Sequence, residues 1–229
     1  NSTHGSSYFD GDIKSTVSAN QTAGFSIVAW NSGASSNTAT VPHGLGVAPE
    51  VVLYRSRTSG TWNFWTTAID GSDDILYLHL NNAKGDITGY GNITSSFFSN
   101  FGYSNAQNPV AYCFASKPGF SKIGRYTGNG SADGPFINTG FKPAWVITKT
   151  TSMAKEWYIR DIARNPMNPV NTSLWTDNSN AETTATGYDM DYLSNGFKPR
   201  ANHSNFNTLN RSYLYIAFAE SPFKYANAR

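Results

Sequence analysis

The sequence repeats itself once, at a separation of about 95 residues. The matched segments are Gly24–Ser26 with Gly119–Ser121, Val47–Val52 with Phe141–Val146, Trp62–Phe64 with Trp157–Ile159, Thr88–Tyr90 with Thr186–Tyr188, and Tyr112–Ala115 with Ile216–Ala219. The repeats of solenoid proteins are about 20–50 residues long, so this period is too long for that architecture. The repetition therefore predicts two copies of one domain, each large enough to have its own core.

The composition and patterning of both copies are typical of an all-β protein. Charged residues make up only 14% of the 229 residues, and aromatic residues make up another 14%. Helical periodicity is nearly absent, and short β-branched or aromatic runs alternate with turn residues. The predicted strands are residues 25–30, 38–41, 51–55, 62–67, 75–80, 96–101 and 110–115 in the first copy and 121–126, 136–139, 144–149, 156–161, 173–177, 196–200 and 213–219 in the second. This density of strands predicts an all-β fold of two tandem duplicated β-sandwich domains, jelly-roll-like and of about 100 residues each.

The repeat also sets the expected domain boundaries. We expect residues 1–23 to be a connector from a preceding unit, residues 24–117 to form the first sandwich and residues 118–229 to form the second. The last strand of each copy is apolar on both faces, so we expect it to be central and to pair with the first strand of its copy. Because the chain has neither an initiator Met nor a signal peptide, we interpret it as the C-terminal region of a longer polypeptide.

Charge, hydropathy and cysteine content argue against several classes of function. The net charge is +2 and the basic residues are scattered, whereas nucleic-acid binding normally shows a clustered basic surface. No run of 18 apolar residues occurs, so we expect no membrane insertion. The single cysteine, Cys113, lies in an apolar run and is predicted to be a core residue, because a nucleophile would need a positioned histidine. We expect no cofactor, since no glycine-rich segment is followed by the helix and lysine of a phosphate site.

The acidic loop around residue 72 is the strongest candidate for a metal site. Asp70, Asp73 and Asp74 could offer oxygen ligands to Ca²⁺. The loop lacks the downstream glutamate and the regular spacing of a helix-loop-helix calcium site. We therefore predict a solvated turn and keep these three residues as weak metal candidates.

Aromatic and amide side chains are the candidates for ligand binding. Exposed aromatic rings stack on sugar rings, and neighbouring residues of a strand face opposite sides of a sheet. One aromatic residue of each close pair is then a candidate for exposure, although a small sandwich also needs large rings in its core. The candidate residues are Trp62, Trp65, Trp157 and Tyr158 on strands, and Tyr103, Asn105, Asn202, His203 and Asn205 in loops whose composition is that of adaptable recognition surfaces.

Several longer motifs carry a resemblance to a known family. They are Val17–Val28, His43–Pro49, Tyr126–Gly130, Gly140–Val146, Leu193–Lys198 and Ala217–Lys224. Together they resemble a repeat domain of predicted bacteriophage structural proteins, especially of marine phages, which are called tail-fibre or virion proteins. The resemblance implies location in the virion, at the extracellular surface of the phage particle, and supplies no catalytic residues.

Our leading hypothesis from the sequence is a non-enzymatic virion appendage that resembles a phage tail fibre. It would bind a host-surface glycan or protein, contact other virion proteins and assemble as a homotrimer or another homo-oligomer, by analogy with fibres. One alternative is an architectural virion protein, such as a capsid decoration or baseplate component. A second is a carbohydrate-active enzyme, which needs two facing carboxylates. The second copy has extra residues in its late loops, including Met167–Thr172 and Asn202–Asn210. If the second copy has a function that the first lacks, we expect it in these loops.

Overall fold

The computed structural model describes residues 6–8, 11–31, 36–58, 60–100 and 108–222. These residues form β-strands joined by turns, with one turn of 3-10 helix at Thr186–Tyr188. The prediction of an all-β fold is confirmed. No helix in these ranges has the length and apolar character needed to cross a membrane.

The chain divides into two compact units. Unit 1 comprises Asn1–Tyr77 and Gly85–Ser116, and unit 2 comprises Leu78–Lys84 and Lys117–Arg229. The short segment Leu78–Lys84 thus leaves the first copy of the repeat and belongs to unit 2. Its place is fixed by hydrogen bonds at both ends, because the Leu78 carbonyl accepts a bond of 2.6 Å from Thr176 and the Lys84 N–H donates one of 2.8 Å to Thr151.

Unit 1 contains one long antiparallel sheet and one short strand pair. Its strands are β1 (Ser6–Tyr8), β2 (Ser15–Asn20), β3 (Phe25–Trp30), β4 (Thr40–Pro42), β5 (Val51–Ser56), β6 (Asn63–Thr66), β7 (Asp74–Tyr77), β8 (Gly85–Asp86), β9 (Phe97–Ser99) and β10 (Pro109–Phe114). The long sheet has the order β1-β2-β3-β10-β5-β6-β7-β8, and β4 pairs with β9. Strand β2, which the sequence pattern assigns to a connector, pairs with β3 along its whole length.

The core of unit 1 follows from the two-residue period of its strands. One face of the long sheet carries Val28, Ala111 and Val52, on β3, β10 and β5 respectively, and these side chains pack with Val41 of β4 and Phe98 of β9 in one cluster. All five are fully buried. The short pair β4-β9 therefore covers the apolar face of the long sheet.

Unit 2 repeats this arrangement. Its strands are β11 (Ser121–Thr127), β12 (Ile137–Asn138), β13 (Pro143–Thr150), β14 (Tyr158–Asp161), β15 (Thr172–Trp175), β16 (Thr183–Thr184), β17 (Met190–Leu193), β18 (Gly196–Pro199) and β19 (Ser212–Ala219). The larger sheet has the order β11-β19-β13-β14-β15-β16, which corresponds strand for strand to β3-β10-β5-β6-β7-β8, and β12, β18 and β17 form a second sheet. The predicted central strands are confirmed, since β10 lies between β3 and β5 and β19 lies between β11 and β13.

Tyrosines dominate the core of unit 2 and fix the loop between β18 and β19. Tyr126 and Tyr213 stack with ring centroids 5.0 Å apart. The Tyr126 hydroxyl donates to the Phe206 carbonyl at 2.8 Å, and the Tyr213 hydroxyl donates to the Ser204 carbonyl at 3.1 Å. Buried tyrosine hydroxyls need such partners. The loop that carries Ser204 and Phe206 is therefore held by the core.

Most predicted strands have at least one end that differs from the observed strand by one to three residues, and at two of these ends another contact replaces strand pairing. The run predicted over residues 75–80 ends as a strand at Tyr77, and His79, expected on the outer face of a strand, lies in a turn. The run predicted over residues 196–200 ends at Pro199, after which Arg200 hydrogen-bonds the carbonyl of Asp189. The alternation of apolar and polar residues in the sequence continues beyond the last residue that pairs with a neighbouring strand, so it predicts strands that are too long.

Candidate functional site

Unit 2 brings three of the predicted ligand-binding residues into one cluster. We call it the Tyr188 cluster, and its members are Glu156, Tyr158, Arg160, Tyr188, His203, Asn205 and Phe206. Glu156, Tyr188 and His203 are half-buried, and the other members are buried. The cluster thus has a buried base and a partly solvent-accessible top.

Three elements position these side chains. Tyr158 and Arg160 are two residues apart on β14 and therefore project from the same face. Tyr188 ends the 3-10 turn. His203 and Phe206 lie in the loop after β18, in a turn closed by the bond of 3.2 Å from the Phe206 N–H to the His203 carbonyl.

The base of the Tyr188 cluster is the buried guanidinium of Arg160. It lies 4.7 Å from the ring centre of Phe206 and 5.4 Å from that of Tyr158. Its Nε donates to the Tyr188 carbonyl at 3.1 Å, whereas its two terminal nitrogens have no hydrogen-bond partner among the described residues. Burial lowers the pKa of Arg160, and aromatic faces provide much of the compensation for its charge.

Stacked rings connect this base to the half-buried top. Tyr158 stacks on Tyr188 at 5.4 Å, Tyr188 lies 4.9 Å from His203, and His203 stacks on Phe206 at 5.2 Å. The Tyr188 and His203 rings are thereby held in fixed positions, and both retain partial exposure to solvent.

Hydrogen bonds fix the polar groups beside the rings. The Asn205 amide bonds the Tyr158 hydroxyl and the Glu156 carboxylate. The Asn205 N–H donates to Nδ1 of His203 at 3.3 Å, which places the proton of the neutral ring on Nε2. Burial, followed by the positive charges of Arg160 and Lys155, lowers the pKa of His203. The top of the cluster is therefore a neutral imidazole beside a phenol ring and a carboxylate.

A second carboxylate lies near Glu156. Asp177 accepts a hydrogen bond of 3.4 Å from the Trp157 N–H. Burial raises the pKa of Asp177, and the negative charge of Glu156 contributes to that rise. Burial also raises the pKa of Tyr158 to about 12. The two carboxylates could therefore form an acid–base pair.

The remaining predicted aromatic residues do not form an open binding surface. Trp65 and Trp157 are 0% and 1% exposed and belong to the cores. Trp62 is half-buried, with its ring 6.0 Å from that of Tyr112 and beneath the guanidinium of Arg55 at 5.6 Å. Trp157 directly precedes β14, and Tyr158 is its first residue. Their side chains point to opposite sides, and both sides are covered, so neither ring is accessible to solvent.

The other candidates in the loops are placed as follows. Asn202 is exposed and next to His203. Tyr103 and Asn105 lie outside the described residues. Pattern reasoning missed Glu156, Arg160, Tyr188 and Phe206 as site residues. Tyr188 could have been found, because it follows Gly187 within one of the repeated motifs.

The acidic loop gathers a different set of carboxylates from the one expected. Oxygens of Asp70, Asp74 and Asp86 lie within 4.8 Å of one another, because Asp74 pairs with Asp86 across β7 and β8. Asp73 projects away and accepts a bond of 2.9 Å from the Trp65 indole. Burial raises the pKa of Asp73. Asp86 thus takes the place of Asp73 in the carboxylate group.

Cys113 is expected to resist modification in the native protein. Its thiol is fully buried, and burial raises its pKa well above the usual value, so the reactive thiolate is scarce. Ellman's reagent at pH 8 should release no thiolate from the native chain within an hour and one equivalent after guanidinium denaturation. Stoichiometric reaction of the native chain would show that the thiol is accessible.

Comparison with known proteins places the chain in a family. No curated protein and no solved structure matches it. A family model described as a domain of unknown function, DUF7483, matches residues 1–222. Because the match covers nearly all of the 229 residues, the chain belongs to the DUF7483 family.

Proposed function

We propose that the chain is the non-catalytic receptor-binding region of a virion appendage, and that the Tyr188 cluster binds a host-surface glycan. The observation that carries the proposal is the pair of half-buried rings, Tyr188 and His203, held 4.9 Å apart beside the Glu156 carboxylate. An aromatic surface with a few fixed polar groups is the usual composition of a small-ligand site.

The fixed positions of the side chains in the Tyr188 cluster favour binding of a ligand that makes only a few contacts. Tyr188 is fixed by the stack on Tyr158 and by the bond from Arg160 to its carbonyl. His203 is fixed by Phe206 and by the Asn205 N–H. A prearranged site loses little conformational entropy on binding, which increases affinity without additional contacts.

The architecture supports the same proposal. The corresponding strand orders of the two units favour two tandem copies of one jelly-roll-like sandwich, a scaffold that carries binding loops in many lectins and capsid proteins. The resemblance to tail-fibre repeats favours a virion location and a homotrimer or another homo-oligomer. Several copies would multiply weak glycan contacts.

Replacing Tyr188 with alanine is expected to weaken glycan binding at least about tenfold, since truncating a central aromatic side chain in a binding site commonly costs more than 1 kcal/mol. The measurement is fluorescence of the labelled chain on a printed array of bacterial surface glycans, followed by titration of the strongest hits. The matched control is Tyr90→Ala, because Tyr90 occupies the corresponding motif of the first copy and is 37% exposed.

The outcomes separate the hypotheses. Loss of binding in Tyr188→Ala, with unchanged binding in Tyr90→Ala and unchanged melting temperatures in both, supports the proposed site. Equal glycan binding by all three chains would show that another surface binds the glycan. An array without hits, together with copurification of other virion proteins, would favour the architectural alternative.

The pair Glu156 and Asp177 is the feature that favours a carbohydrate-active enzyme. Its two carboxylates have different environments, as acid–base pairs in glycosidases do. Polysaccharide turnover that disappears in both Glu156→Gln and Asp177→Asn would establish catalysis. We expect no turnover by the unsubstituted chain.

A further inference from the structure

The imidazole of His203 is held in the Tyr188 cluster through its ring and through its main chain. The ring lies 4.9 Å from that of Tyr188 and stacks on Phe206 at 5.2 Å, with 18° between the two planes. The His203 carbonyl accepts bonds of 3.2 Å from the Phe206 N–H and 2.8 Å from the Asn207 N–H. Because ring and main chain are both held, a proton added to the ring acts directly on the groups around it.

One ring nitrogen of His203 serves as a hydrogen-bond acceptor. Nδ1 accepts the Asn205 N–H at 3.3 Å. The side chain of the same asparagine donates to the Tyr158 hydroxyl and, at 3.4 Å, to the Glu156 carboxylate. Asn205 is 4% exposed, so water has little access to replace a lost partner. A single buried residue thus connects the imidazole to the phenol and the carboxylate of the cluster.

The charged groups near His203 lie on β14 and just before it. The Arg160 guanidinium is 4.7 Å from the centre of the Phe206 ring on which His203 stacks. Burial lowers the pKa of His203, as do the positive charges of Arg160 and Lys155, whereas the negative charge of Glu156 opposes them. A proton on His203 therefore adds a second positive charge near a buried guanidinium.

The other two elements that pack on the ring contribute no further charge in acidic solution. The 3-10 turn contributes the phenol of Tyr188. In the loop that carries His203, the other side chains between residues 202 and 207 are not titratable. The two cations and the carboxylate on the β14 side therefore determine the electrostatic environment of the ring.

Protonation of His203 is incompatible with this arrangement. A proton on Nδ1 converts the acceptor into a donor, so the Asn205 N–H loses its partner and faces another N–H group. A buried donor without a partner is unfavourable. Asn205 must then move, and its side chain no longer positions the Tyr158 hydroxyl and the Glu156 carboxylate.

We propose that His203 is a proton switch for the Tyr188 cluster, which keeps its arrangement while the ring is neutral and releases its ligand when the ring is protonated in mildly acidic solution. Release of a ligand rests on the proposed function of the cluster, whereas the movement of Asn205 does not. If only the form with neutral His203 binds, the apparent affinity decreases in proportion to the fraction of neutral rings.

The first test needs no ligand. Nuclear magnetic resonance of the full ¹⁵N-labelled chain follows the ring nitrogens of His203 and the amide of Asn205 between pH 7.5 and 4.5. We expect Nδ1 to change from acceptor to donor with a midpoint below 6.5 and the Asn205 amide to shift with the same midpoint. A ring that titrates without any change at Asn205, a midpoint at or above 6.5, or no titration in this interval would overturn the proposal.

Two variants assign the change to this histidine. His203→Phe keeps an aromatic ring without a titrating nitrogen, so the Asn205 shift should disappear, and any pH dependence that remains belongs to Glu156 and Asp177. His79→Gln, which changes the other described histidine of unit 2, should retain the shift. An unaltered Asn205 titration in His203→Phe would refute the switch. The titration of the unsubstituted chain decides the question if His203→Phe does not fold.

The second test uses a glycan that binds the unsubstituted chain but not Tyr188→Ala. Its affinity one pH unit below the measured pKa of His203 should be about tenfold weaker than at pH 7.5, because only about one ring in ten is then neutral. By reciprocity, the bound glycan should lower the pKa of His203. Equal affinity at both pH values would refute the switch and leave the glycan site intact. Absence of any such glycan would contradict the proposed function, while the Asn205 titration would still decide whether His203 acts as a switch.

Discussion

Replacing Tyr213 with alanine is expected to destabilise unit 2 by about 4 kcal/mol or more, because loss of a buried aromatic ring alone costs roughly 3–5 kcal/mol. Tyr213 is fully buried on central strand β19 and stacks on Tyr126. Its hydroxyl donates to the Ser204 carbonyl at 3.1 Å and accepts from the Thr208 N–H at 2.8 Å. The substitution removes the ring, both hydrogen bonds and the support of one loop.

Tyr213→Phe separates the hydrogen bonds from the packing. This variant keeps the ring and leaves two backbone groups without their partner, so we expect a loss of about 2 kcal/mol. Guanidinium denaturation monitored by circular dichroism measures both variants. Phe136→Ala is the control in the same unit, because Phe136 is 45% exposed and should cost less than about 1 kcal/mol. Equal effects of Tyr213→Ala and Phe136→Ala would contradict the placement of Tyr213 in the core.

The same substitutions connect the core to the candidate site. The loop held by Tyr213 carries His203, Asn205 and Phe206, and the Tyr126 hydroxyl holds it at the Phe206 carbonyl. Close backbone approach at the end of β11 also contributes, since a Cβ at Gly128 would collide with the Thr208 carbonyl oxygen. The position of the cluster is therefore set by buried contacts rather than by the loop alone.

The strand framework could be predicted from the sequence because its signals are local. Val28, Ala111 and Val52 sit on strands whose β-branched and aromatic runs are bounded by turn residues, and the apolar character of both faces of β10 and β19 identified them as central. The sequence pattern does not predict strand β2, which lies between β1 and β3, as part of this sheet. Its outward residues are polar and exposed, so it lacks the apolar run that marks a buried strand.

The site could be predicted only in part because burial depends on distant segments. The residue types of His203, Tyr158 and Asn205 predict a binding role, and the structure brings these three side chains together. Their joint position depends on Arg160, which a sequence pattern places on the surface, since arginine is rarely buried. Pairing of β14 with β13 and β15 determines which face is covered, and no local pattern contains that information.

Lys149 is the titratable group from which we expect the clearest pH dependence of stability. It is fully buried, and its ammonium donates to the carbonyls of Asn81 at 3.2 Å and Thr150 at 2.9 Å. Burial lowers its pKa from 10.5 to about 8, against the opposing negative charges of Asp177 and Glu156. The folded chain thus releases this proton at a lower pH than the unfolded chain does.

The direction of the effect follows from proton binding. Between about pH 8 and 10.5 the unfolded chain binds more protons at Lys149 than the folded chain, so stability rises with pH. The contribution is fully present above 10.5 and is lost as pH falls through about 8. Tyr158 and Tyr215 act oppositely above pH 10, because burial raises both of their pKa values to about 12.

Lys149→Met isolates this contribution, because the tyrosines are common to both chains. The stability of the unsubstituted chain relative to Lys149→Met should rise by about 2 kcal/mol between pH 7.5 and 9.5, since each pKa unit is worth about 1.4 kcal/mol. Guanidinium denaturation at four pH values in this interval measures the difference. Lys122→Met, which changes an exposed lysine of β11, should show no such rise. A pH-independent difference for Lys149→Met would mean that the ammonium remains charged in the folded chain, so that its carbonyl partners and the nearby carboxylates fully compensate for burial.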